Sequence, residues 1–93
     1  MNETLELELK NLWTRLLGKI PSDQQWGFWE VSHTPAVIRQ GILRATQKNL
    51  SIGGTMDDDR KLRFASAVML DQTRRNEEHA ANRERLRQEM EAR

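Results

Sequence analysis

Ninety-three residues, with fifteen basic and fourteen acidic side chains, carry a net charge of +1. A chain of this length makes one domain and buries roughly 60–65% of its unfolded surface, enough for one small core. The absence of Cys excludes disulfides and thiolate metal sites, and near-balanced charge makes no general case for nucleic acid.

The first helix is expected behind Asn2 or Thr4, where Leu5, Leu9, Leu12, Trp13, Leu16 and Leu17 recur at helical spacing. Glu6 and Glu8 load its positive end, Gly18 suits its stop, and Leu7 falls off the apolar stripe. Pro21-Ser22-Asp23-Gln24-Gln25 reads as a capping box opening a short second helix over 23–31, which holds Trp26, Phe28 and Trp29. Gly27 inside that helix costs about 1 kcal/mol against Ala and predicts a close backbone approach.

Thr34-Pro35 opens a third helix: Thr supplies the cap oxygen, and Pro lacks only an amide that would be unpaired there. Its predicted buried stripe is Val37, Ile38, Gly41, Ile42 and Ala45, with the two small residues admitting a partner helix or a Trp ring. The last turn falls at Lys48-Asn49, with Asn49 or a later Gly in left-handed conformation. Leu50 to Gly54 reads as a loop whose Leu and Ile tuck against the head. Thr55-Met56-Asp57-Asp58 matches a second capping box, and Asp57, Asp58 and Asp59 complement the dipole of a fourth helix. That helix carries Leu62, Phe64, Ala65, Val68 and Met69, and no turn signal interrupts it before about Met90.

Two unlike halves meet near Leu70. Residues 1–70 hold all three Trp and both Phe, whereas 71–93 hold six Arg, six acidic residues and only Leu86 and Met90 as sizeable apolar groups. The arm pairs Asp71 with Arg75, Glu84 with Arg87 and Glu89 with Arg93, with Arg85–Glu89 and Arg87–Glu91 in the weaker order. A heptad from Leu62 places Asn76, Gln72, His79 and Arg83 on its seam, a poor coiled coil. A monomer or weak homodimer follows. The expected fold is all-α: a three-to-four-helix head over 1–70 and a charged helical arm over 71–93 that continues the last helix. The acidic start and the shortness of the longest charge-free helical run, Phe64 to Leu70, leave no signal peptide or span of about 20 residues, so a cytoplasmic protein is expected.

No residue set points to catalysis, a metal or a cofactor. His33 and His79 lie apart with no nucleophile at motif spacing, and consecutive helical aspartates diverge by about 100° instead of converging on an ion. A protein partner is expected, with Trp26, Leu86 and Met90 as the partner-binding residues. The alternative is nucleic acid, with Arg44, Lys48, Arg74 and Arg75 neutralising phosphates.

Trp29, Ile38, Gly41, Ile42, Ala45 and Asn49 follow the order Trp, turn, aliphatic–x–x–small–aliphatic–x–x–Ala–x–x–x–Asn. This stretch resembles the C-terminal helical domain of DnaD-type primosome proteins and, less closely, phage replication protein P. It covers about a fifth of the chain. The family continues with a Tyr-Ile-x-x-Ile-Leu helix, where this chain has Gly53-Gly54 and only a loose match at Phe64, Val68 and Met69. The resemblance implies DNA binding or contact with replication proteins, without catalysis. The sequence therefore reads first as a non-enzymatic interaction module and second as a DNA-associated accessory protein.

Overall fold

Four helices account for the computed structural model, which describes residues 2–92. The first, α1 (Glu3–Leu17), starts where the Asn2 side chain accepts the Leu5 amide at 2.8 Å, and it ends at Gly18 with φ +95°. Ser22 accepts the Gln25 amide to open α2 (Asp23–Ser32), and Thr34 accepts the Val37 amide with Pro35 in the first turn of α3 (Pro35–Ser51). Each cap satisfies a backbone donor that the helix itself leaves unpaired.

The segment after α3 differs from expectation. Leu50 and Ser51 belong to the helix, and Leu50 and Ile52 stay exposed instead of tucking inward. Gly53 and Gly54 take the left-handed conformation at φ +76° and +72°, and the Gly54 amide returns to the Asn49 carbonyl at 2.7 Å. The Asn49 side chain accepts the Met56 amide at 2.9 Å, and Met56, not Leu50 or Ile52, is the loop residue that reaches the interior. With Met56 drawn inward, α4 (Asp58–Glu91) begins beyond it. Its cap is therefore Asp57, which accepts the Arg60 amide at 2.7 Å; Thr55 donates to the Ile52 carbonyl instead.

Between the long helices, register follows from who meets whom. Along α3, Val37 shares a surface with Thr73 and Asn76, Gly41 meets Met69 and Ala65, and Lys48 shares a cleft with Arg60 and Arg63. Rising numbers on one helix meet falling numbers on the other, so the pair is antiparallel. α3 packs mainly on α4, next on α1, and touches α2. At Gly41 a Cβ would stand 2.7 Å from Met69 Cγ and 3.0 Å from the Ala65 carbonyl oxygen, so α4 is the partner that needs a small residue there. Gly27 has open space around its Cβ position, and the close approach expected at it is absent.

Leu9, Trp13 and Leu17 from α1 meet Trp26 and Trp29 from α2, and the five-residue stripe of α3 closes over them. Ala65 and Met69 complete the core from α4, with Leu62 and Phe64 partly buried at its edge. The Trp13 and Trp29 rings, and the Trp26 and Trp29 rings, each stand 5.6 Å apart in tilted and edge-on arrangements, the geometries that ring quadrupoles favour. Every indole N–H is satisfied, by the Lys19 carbonyl, Glu30 and Ser66 respectively for Trp13, Trp26 and Trp29. Lys61 reaches across to the Leu17 carbonyl at 2.7 Å and closes the end of α1.

At about 1.5 Å per residue, the 34 residues of α4 span about 51 Å, nearly the whole 55 Å length of the molecule. Beyond Leu70, Gln72 and Thr73 are still half-buried, while 74–92 are exposed. Asp71–Arg75 and Glu84–Arg87 pair at 3.1 and 2.8 Å, and Arg87–Glu91 at 3.9 Å. The expected Glu89–Arg93 pair lies outside the described residues. No helix among those residues is long and apolar enough to cross a membrane.

Candidate functional site

Core formation uses up the aromatic residue that sequence reasoning offered to a partner. Trp26 is 1% exposed, its N–H donates to Glu30 at 2.9 Å, and the Lys10 ammonium sits 5.8 Å over its ring. Lys10 in turn pairs with Glu6 at 2.9 Å, and that hydrogen bond holds the Glu6 carboxyl below the usual range. Trp26 is thus a core residue with a polar lid and is not free to anchor another chain.

Its neighbours on the other side of α2 are free. Phe28 is 60% exposed and Val31 86%, because Trp26 and Trp29 take the inward face of a ten-residue helix and leave these two off it. Leu70 on α4 is 47% exposed and lines the same groove as Phe28, a depression of about 510 Å³. Val31 lies on the adjoining depression, which shares Ser32, His33, Thr73 and Glu77 with the first. An apolar face bordered by His33, Arg74 and Glu77 therefore runs along the α2–α4 junction. Sequence reasoning preferred Trp26 to Phe28 as the partner's anchor and did not single out Val31 or Leu70. The available signal was that one short helix cannot turn Trp26, Phe28, Trp29 and Val31 to a single side.

His33 fixes the two walls of this groove to each other. As the last cap of α2 it donates its amide to the Trp29 carbonyl, and its Nδ1 lies 2.6 Å from the Thr73 hydroxyl on α4. Desolvation by the surrounding protein holds its pKa below the ordinary histidine value. The pair ties α2 to α4.

Leu86 and Met90 are exposed on the arm, one turn apart. At about 100° per residue they lie about 160° around α4 from Leu70, so they do not extend the groove. The structure thus leaves Leu86 and Met90 side by side on the arm, apart from Trp26 in the core.

No family model, curated protein or solved structure matches this chain.

The four cations expected to meet phosphates do not form one patch. Arg44 and Lys48 lie on the C-terminal half of α3, Lys48 beside the start of α4, whereas Arg74 lines the α2–α4 groove and Arg75 is paired with Asp71. From Arg60 to Arg74 the helix rises about 21 Å. Lys48 instead joins Arg60 and Arg63 around a second depression. The aspartates at this end serve locally: Asp57 caps α4, Asp58 lies 4.0 Å from Lys61, and Asp59 pairs with Arg63 at 3.0 Å.

Proposed function

We propose that the chain is a non-enzymatic helical interaction module that binds a protein partner along the α2–α4 junction. The observation that carries this reading is the exposure of Phe28, Val31 and Leu70 on one continuous face, bordered by polar groups. A compact protein covers such residues when it can, and protein interfaces place an aromatic anchor within a polar rim. Phe28 stands as that anchor, Leu70 and Val31 flank it, and His33, Arg74 and Glu77 supply the rim. The His33–Thr73 tie adds preorganisation, since a groove already held open costs less to occupy. The lack of Cys suits a reducing compartment such as the cytoplasm.

The test places a photo-reactive benzoylphenylalanine at Phe28 and, as control, at exposed Arg39 on α3, in the native cell. A discrete heterologous adduct from position 28 alone is expected. Leu70→Asp in the same chain should abolish it, as removal of an interface anchor commonly costs 2 kcal/mol or more. Equal labelling from both positions, or adducts indifferent to Leu70→Asp, would refute the groove.

A further inference from the structure

At the N-terminal end of α4, the last turn of α3, the connecting loop and the first turns of α4 line a second depression of about 390 Å³. Ile52, Met56 and Phe64 form its floor, and Lys48, Arg60 and Arg63 surround it; no acidic residue lines it. Met56 is buried, Phe64 half-buried, and Ile52 exposed at the mouth. Among the described residues neither Lys48 nor Arg60 enters an ion pair, while Arg63 is held by Asp59. The nearby aspartates are occupied: one caps α4 and the other two pair with Lys61 and Arg63.

We infer that this cleft docks an acidic peptide segment of a partner protein, one bulky apolar side chain entering over Ile52, Met56 and Phe64 while flanking carboxylates meet Lys48 and Arg60. Charge complementarity selects the acidic character, because cations placed opposite carboxylates steer encounter and reject like-charged partners. The apolar floor selects a peptide over bare polyanion, since phosphates tracked by cations need no aliphatic bed. The inference rests on the interaction-module reading but uses a different surface, so the two can fail separately.

The experiment measures anisotropy of a short fluorescein-labelled peptide, Glu-Glu-Phe-Leu-Glu-Glu, titrated with the full chain in low salt. Saturable binding that weakens as salt rises is expected. The Lys48→Glu/Arg60→Glu variant should weaken it on the order of ten-fold, and Ile52→Asp should weaken it comparably. Phe28→Asp should leave it unchanged, which separates this cleft from the α2–α4 groove. All these side chains are exposed, and circular dichroism confirms that each variant is folded before titration. Absence of saturation, or equal affinity for a peptide with Ser in place of Phe and Leu, overturns the proposal. Tighter binding of labelled duplex DNA, lost in the same double variant, overturns it in favour of a phosphate-binding face. Sedimentation that shows self-association lost in that variant overturns it in favour of a second copy, whose exposed Leu7 lies between Glu3 and Glu8.

Discussion

Two glycines in helix interiors should answer the same substitution with opposite signs. Replacing Gly by Ala inside a helix gains about 1 kcal/mol from the backbone alone. At Gly27 nothing lies within 4 Å of the added methyl, so Gly27→Ala should deliver that gain. At Gly41 the methyl would stand 2.7 Å from Met69 Cγ, 2.8 Å from Met69 Cε and 3.0 Å from the Ala65 carbonyl oxygen. Met69 is fully buried, so its Cγ moves only by repacking the core, and the Ala65 oxygen moves only with α4. Overpacking of this kind costs about 1–3 kcal/mol, and two simultaneous obstructions argue for the upper half of that range. Against the propensity gain, Gly41→Ala should therefore lose about 1–2 kcal/mol. For a domain of this size each kcal/mol moves the Tm by about 4–8 °C, so the two variants should separate clearly in thermal denaturation, with wild type between them. A double variant with Met69→Ala should be less destabilised than the sum of its parts, because the new methyl occupies part of the space vacated. If Gly41→Ala proves as stabilising as Gly27→Ala, the helices do not meet at Gly41 and the antiparallel register is wrong.

Ile42→Ala removes a fully buried side chain from the centre of α3 and should cost about 2–5 kcal/mol by urea denaturation. Deleting residues 76–93 should leave a cooperative transition at nearly the same Tm, since residues 74–92 are exposed and support no core; loss of that transition would give the arm a structural role. His33 should make the protein less stable in mild acid. Its folded pKa lies below the ordinary value, so the unfolded chain binds more protons as pH falls below about 6.5, and stability declines until the folded pKa is passed. Urea midpoints across that window should flatten in His33→Asn; an unchanged slope would assign the acid sensitivity to another group.

The elements of this fold were legible locally because their causes are local. Asn2, Ser22 and Thr34 act through amides three residues on, Pro35 through its fixed φ, Gly18 stops α1 through its own φ, and the stripe from Val37 to Ala45 is a matter of helical period. The length of α4 was likewise readable from the absence of any breaker, and its charged end from composition. Sequence alone could not separate Gly27 from Gly41, since both are helical glycines beside apolar residues and only the docking of α4 makes one of them crowded. It placed the α4 cap at Thr55, whereas burial of Met56 and its bond to Asn49 move the start to Asp57. It offered Trp26 to a partner in preference to Phe28 and did not single out Val31 or Leu70, because which side of a short aromatic helix is covered depends on residues up to 40 positions away, as the His33–Thr73 tie shows. Periodicity says that a face exists; only the arrangement of distant helices decides whether that face is core or surface, and which separated cations come to share a cleft.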